Sequence, residues 1–182
     1  MSAMTRDDVI TIVLRAHRLG QAPDLRDTDL SNLNLRELDL TDADLRGANL
    51  DGADLSWSTL STADLTDADL RGATLRRTVL TRAVLTRADL TQVYARDADM
   101  AGADLRRSIL LRADLRDANL VNSDMRGADL EGADLTDAEL TGADLTDAEL
   151  TGADLRGADI DEYAEEDFFN RGAHVTGWGD AA

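Results

Sequence analysis

The chain has no cysteine and no lysine, one proline, two histidines and six aromatic residues among 182. Without cysteine, disulfides, thiolate metal sites and nucleophilic thiol chemistry are excluded. His17 and His174 lie near opposite ends of the sequence, so no Ser-His-Asp grouping can be assembled. The apolar stretch Val9–Leu14 is too short to span a bilayer, and Asp7 and Asp8 stand where a signal peptide needs positive charge. The sequence therefore reads as a cytoplasmic chain with no membrane partner; the absence of an Asn-x-Ser/Thr sequon agrees with this. All 19 basic residues are arginine, against 37 acids, and the net charge of −18 argues against direct nucleic-acid binding, which needs basic surfaces. It permits a basic protein partner.

What is abundant is one short pattern. From Leu25 to Ile160 every fifth residue is apolar, giving 28 stations of which 24 are leucine; the others are Ala95, Met100, Met125 and Ile160. Two residues before each station 19 of 28 positions are alanine, and one residue before it 22 of 28 are Asp, Asn or Glu. Leu135–Asp144 and Leu145–Asp154 are identical decapeptides. A step of five advances an α-helix by about 140°, spreading leucines over every face. On a flat strand an odd step sends alternate leucines to opposite sides. Both conflicts vanish if the chain turns a corner once per pentapeptide, with Ala and Leu pointing in and the acid between them pointing out. Nine glycines, such as Gly47 and Gly102, fall two residues after a station, where a corner benefits from unrestricted φ.

The period alone does not fix how many corners close a coil. The units Ala43-Asp44-Leu45, Ala103-Asp104-Leu105 and Ala128-Asp129-Leu130 resemble the motif of the pentapeptide-repeat family, and the resemblance runs unbroken over 23–162. It implies an all-β fold, a right-handed quadrilateral parallel β-helix with four pentapeptides per coil, hence about seven coils and a shaft of roughly 34 Å. Ala95, in Val93-Tyr94-Ala95, is expected to leave a void or a kink.

A solenoid needs capped ends. Residues 1–22 read as a capping helix, with Thr5 as N-cap, Val9, Ile10, Val13, Leu14 and Leu19 as its apolar residues and Gly20 as its stop. After the repeats, 163–182 hold Tyr163, Phe168, Phe169 and Trp178, which form either a helical, aromatic lid or a homodimer interface through the C-terminal end. The resemblance favours the dimer, since gyrase-interacting members of the family resemble rods joined at their C-terminal ends.

Charge is uneven. Residues 1–70 hold 6 Arg against 14 acids (−8), 71–126 hold 11 against 7 (+4), and 127–182 hold 2 against 16 (−14). The outward acids Asp129, Asp134, Glu139, Asp144, Glu149 and Asp154 are the candidate partner-binding set. Two roles remain open for them: DNA mimicry, or solubility. Trp57, Arg77, Tyr94 and Ile109 form a candidate exposed patch, with Arg77 one coil above Trp57 in a four-sided register. The resemblance implies no catalytic residues, cofactor or metal. It implies a protein partner, DNA gyrase in the fluoroquinolone-resistance members, with antibiotic resistance as the consequence. The alternative is a scaffold offering flat faces to another protein.

Overall fold

The structure, a computed structural model, describes residues 4–161 and 165–175. Parallel bridges join residues twenty apart in an unbroken series, Asp24 to Asp44, Asp29 to Asn49, Asn34 to Asp54, Asp39 to Thr59 and onward. Twenty residues per closure means four pentapeptides per coil. Four columns of outward residues result. Face 1 carries Asp24, Asp44, Asp64, Val84, Asp104, Asp124 and Asp144; face 2 runs from Asp29 through Ile109 to Glu149; face 3 from Asn34 through Tyr94 to Asp154; face 4 from Asp39 through Val79 to Asp159. The leucine stations fill the interior, and Ala43, Ala103 and their equivalents are buried beside them.

One pentapeptide shows why the pattern is self-consistent. The Leu105 N–H donates to the Asp124 carbonyl (2.8 Å) and the Arg107 N–H to the Arg126 carbonyl (3.1 Å), both in the next coil. The Ser108 N–H closes the corner on the Leu105 carbonyl (3.1 Å), and the Ile109 N–H reaches back to Ala88 (3.0 Å). The fifth donor, the Arg106 N–H, is taken by Asp104 Oδ1 at 3.2 Å. The residue before each leucine is thus more than a polar filler: its short side-chain oxygen accepts the N–H two residues on, an Asx-turn that satisfies the one donor the ladder leaves over. Asp or Asn fits this geometry, which explains its recurrence.

The second corner residue of each pentapeptide, from Asp27 to Gly157, has positive φ. Nine of these 27 positions are glycine; the other 18 are not, and include Trp57 at φ 64° and Thr62 at φ 59°. Asp and Asn tolerate the left-handed region, but bulky and β-branched residues do not enter it without cost. Cooperative closure of the coils imposes that conformation on them.

Ala95 produces no kink. Its N–H donates to the Asp114 carbonyl at 2.8 Å and its carbonyl accepts from Ala98 at 3.1 Å, the same ladder found elsewhere. Val93 occupies the inward slot usually held by alanine, and both residues are fully buried. Methyl groups lost at one station reappear two residues earlier.

Both ends are closed by an arginine. Helix α1 (Arg6–Leu19) starts with a capping box between Thr5 and Asp8 and stops at left-handed Gly20. Val9 and Val13 bury against the first coil, whereas Leu14 and Leu19, expected on the apolar face, are exposed. Arg6 donates to the carbonyls of Asn34 (2.5 Å) and Arg36 (3.0 Å), acceptors for which coil 1 has no preceding strand. At the far end the register returns after a gap of two pentapeptides, 161–170. Helix α2 (Glu165–Asn170) spans part of that gap, and Ala173-His174-Val175 then lies on face 3, His174 bridged to Asp154. Arg171 donates to the carbonyls of Leu145, at 3.0 Å, and Ala148.

Candidate functional site: charged edges and acidic last coils

The six outward acids do not share a face. Asp144 stands on face 1, Asp129 and Glu149 on face 2, Asp134 and Asp154 on face 3, and Glu139 on face 4. They form a belt around the last coils. Nor are they equivalent: Asp154 is held by Arg156 (2.6 Å), while Asp134 and Asp144 meet Arg116 and Arg126 at 3.5 Å. Asp129, Glu139 and Glu149 have no ion pair among the described residues.

These pairings follow one rule. In Asp24-x-Arg26, Asp44-x-Arg46, Asp69-x-Arg71, Asp104-x-Arg106, Asp114-x-Arg116, Asp124-x-Arg126 and Asp154-x-Arg156, the guanidinium grips the carboxylate two residues earlier through Nε and Nη2. The Asx-turn already brings the carboxylate to the N–H of the residue two on, which sets that residue's guanidinium beside it. The arginine's side-chain hydrogen bond is the first cause holding Asp69, Asp104, Asp114 and Asp124 below the ordinary carboxylate range, and it lowers Asp24 to about 2. Most of these arginines also reach the acid one coil on, as Arg106 does to Asp124 at 3.7 Å. Exposed pairs of this kind contribute little singly, but here they link coil to coil.

The register gathers the arginines. Of the 16 from Arg26 onward, six lie on the edge between faces 1 and 2 and six on the diagonally opposite edge between faces 3 and 4. The ten-residue periodicity of the sequence, half a coil, generates this arrangement. Nothing in the five-residue period announces it, although the Asp-x-Arg spacing is visible in the sequence.

The expected patch of Trp57, Arg77, Tyr94 and Ile109 divides. Arg77 stacks over Trp57, 4.8 Å from the ring centroid, on the edge between faces 3 and 4, with Tyr94 on adjoining face 3. Ile109 lies on face 2, so it does not join them. Trp57 is 51% and Tyr94 54% exposed. Among the C-terminal aromatics, Phe168 is 7% exposed and belongs to the core cluster, as a lid residue does; Phe169 is 40% exposed. Tyr163 and Trp178 lie outside the described residues.

Among the described residues no group of three or more His, Asp or Glu side chains is placed to hold a metal ion, and no helix is long and apolar enough to cross a membrane. A recess of about 780 Å³ lies between the last full coil and α2, lined by residues 143–150 with Asp167, Phe168 and Arg171.

Coils that repeat one hydrogen-bonding unit around a continuous core define a repeat solenoid. The model of pentapeptide repeats (8 copies) matches residues 24–61, 63–100, 98–137 and 123–161, and the chain belongs to that family. Among solved structures it is similar to HetL of Nostoc sp. strain PCC 7120, a pentapeptide repeat protein involved in heterocyst differentiation regulation. The two are 33% identical over 75% of this chain and 74% of HetL, with a TM-score of 0.54. It is also similar to a trypsin-treated variant of QnrB1, a plasmid-mediated fluoroquinolone resistance protein, at 19% identity over 79% of this chain and 86% of that one, with a TM-score of 0.46. Rfr23 of the cyanobacterium Cyanothece 51142 is 22% identical over 84% and 96%, with a TM-score of 0.30. No curated protein matches, and no catalytic family is among the findings.

Proposed function

We propose that the protein is a non-enzymatic binding solenoid whose acidic last coils dock a basic protein surface. The observation that supports this is the pairing asymmetry among the described residues: arginines pair nine of the twelve outward acids from Asp24 to Asp124, all but Asp29, Asp39 and Asp99, whereas four of the seven from Asp129 to Asp159, namely Asp129, Glu139, Glu149 and Asp159, have no ion pair. Unneutralised charge on a rigid frame attracts a basic partner at no folding cost. DNA gyrase is the sharpest instance to test. A DNA duplex carries about one negative charge per 1.7 Å of axis, and an acidic belt presents charge to every side that a basic groove would embrace. In this reading the chain binds the enzyme as a DNA mimic, joined as a homodimer through its C-terminal end, and quinolone protection follows from displacement of DNA.

The test is plasmid supercoiling by gyrase with added protein. Inhibition should weaken with salt, because contacts between exposed charges are screened over about 10 Å at 0.1 M. It should be lost in the Asp129→Asn/Glu139→Gln/Glu149→Gln variant. A wild-type chain that leaves supercoiling unchanged at every salt concentration would sink the gyrase form. The scaffold form, a flat-faced adaptor for another protein, draws its support from HetL, which is described by a regulatory involvement and not by a reaction.

A further inference from the structure

On face 3 the acids stop for two coils. Asp54 is followed by Thr74 and Tyr94 before Asp114 resumes the series. The arginines of the Asp-x-Arg couples do not stop with them: Thr74-Leu75-Arg76 and Tyr94-Ala95-Arg96 keep the cation and lose its carboxylate. Arg76, Arg96 and Arg116 therefore follow one another up a single column, one coil apart, at about 4.8 Å. Like charges at that spacing need counter-charges. Arg116 has two, Asp114 at 2.7 Å and Asp134 at 3.5 Å. Among the described residues Arg96 has one ion pair, with Asp117 at 2.9 Å, and its Nε is buried with no hydrogen-bond partner there. Arg76 is exposed and has no ion pair among the described residues.

Beside this column two large aromatic surfaces are open to solvent. Trp57 holds the Arg77 guanidinium against its ring, with Arg77 also 3.5 Å from Asp97. Its backbone is in the left-handed region at φ 64°, where a bulky residue is a steric outlier. Tyr94 replaces the acid that the Asx-turn would use, so it forgoes a local hydrogen bond in favour of an exposed ring. An exposed ring at a corner and another in the acid slot thus fall at one place and add aromatic surface beside the cations.

We propose that the edge formed by Arg76, Arg77 and Arg96, with Trp57 and Tyr94 beside it, binds a short acidic peptide segment carrying an aromatic or apolar side chain. The cations supply the fork geometry that carboxylates accept in pairs, and the rings supply the apolar contact. The ligand is short because the basic stretch of face 3 is only two coils tall, closed by Asp54 below and Asp114 above. A long polyphosphate would run on into those acids and into the −14 of residues 127–182, which hold 2 Arg against 16 acids. This site is opposite in sign to the acidic belt and stands or falls independently of it.

The experiment uses the full chain with Trp178→Phe, which leaves Trp57 as the only tryptophan of the two and therefore the reporter. Its emission is followed during titration with a blocked ten-residue peptide of Glu, Asp and Phe, with the counterpart carrying Lys in place of the acids, and with a ten-nucleotide oligothymidylate. The acidic peptide should give a saturable change with an affinity on the order of 10 μM, and the lysine peptide none. Arg76→Gln/Arg96→Gln should weaken binding roughly ten-fold, about 1.4 kcal/mol. Thr74→Asp/Tyr94→Asp, which restores both missing carboxylates, should weaken binding equally while leaving or raising the melting temperature, separating loss of the site from loss of the fold. Arg15→Gln/Arg18→Gln on the exposed side of α1 should change nothing. No saturation by about 1 mM acidic peptide, undiminished binding by both site variants, or tighter binding of the oligonucleotide would overturn the proposal.

Discussion

The guanidinium of Arg6 lies on the carbonyl of Asn34 at 2.5 Å, in the place that a strand N–H from a preceding coil would occupy. A second nitrogen reaches the Arg36 carbonyl, the next such acceptor along the edge. One side chain of α1 thus imitates the backbone of an absent coil. Arg6→Ala should lower stability by about 1–2 kcal/mol, the cost of leaving one exposed and one part-buried acceptor without a charged donor. Hydrogen exchange should show the loss concentrated in coil 1. Uniform destabilisation of all seven coils would contradict the capping role.

The exchange of methyl groups between Val93 and Ala95 predicts a coupled pair. Ala95→Leu alone overpacks the coil and should cost about 1–3 kcal/mol. Val93→Ala alone leaves a cavity and should cost on the order of 1–2 kcal/mol. The double variant restores the common Ala-x-Leu unit and should melt close to the wild type, giving a coupling energy of opposite sign to the single losses in a double-mutant cycle. Simple additivity would show that the two stations do not share space.

Ile109 occupies an Asx-turn position without an acceptor, so the Leu111 N–H receives no side-chain oxygen from it. Ile109→Asn should supply one and stabilise the shaft by about 0.5–1 kcal/mol, read as a rise in melting temperature. Because asparagine is neutral, it adds no repulsion toward Asp89 and Asp129, its neighbours on face 2. A fall in melting temperature would mean that the ring of Asp and Asn serves only solubility.

The Asp-x-Arg couples set the response to acid. Asp69, Asp104, Asp114 and Asp124 bind their protons at lower pH folded than unfolded, because the arginine two residues on favours the carboxylate. Their contribution is complete above an unfolded value of about 3.9 and is lost as pH falls through the depressed folded values, with Asp24 lowest at about 2. Thermal stability should therefore hold from neutrality to roughly pH 4 and decline steeply below it. Replacing Arg106 and Arg126 with Gln should lower stability at neutrality and make that decline shallower, because the folded values of Asp104 and Asp124 return toward the unfolded one. An unchanged acid profile in that variant would remove the couples as its cause.

Much of the fold is legible in the sequence because the core is written in one period. Leu105 and Ala103 had to point inward once helix and flat strand were excluded, and the glycines marked the corners. The number of sides was not legible: closure depends on the angle turned at each corner, which period five leaves open, and the resemblance supplied it. The non-glycine corners such as Arg107 gave no signal, since their left-handed backbone is imposed by the neighbouring coils. Arg171-Gly172-Ala173-His174-Val175 repeats the unit Arg156-Gly157-Ala158-Asp159-Ile160, but it follows a gap that only the register reveals as two pentapeptides long. The candidate site was half visible. Trp57 over Arg77 followed from the four-sided register, whereas the separation of Ile109 and the spread of the acids over four faces needed each residue's column.

The gathering of arginines on opposite edges has a geometric corollary. Ten residues make half a coil, so turning the shaft by half a revolution about its own axis, with a slide of about 2.4 Å along it, carries Arg26 toward Arg36 and Arg116 toward Arg126. The protein has an approximate two-fold screw within a single chain. The two edges are therefore near copies in spacing but not in charge: Thr74 and Tyr94 strip carboxylates from beside Arg76 and Arg96, whereas the reverse edge keeps Asp67 against Arg87 and Asp104 against Arg106, so the same arginine spacing is open on one side of the shaft and closed on the other.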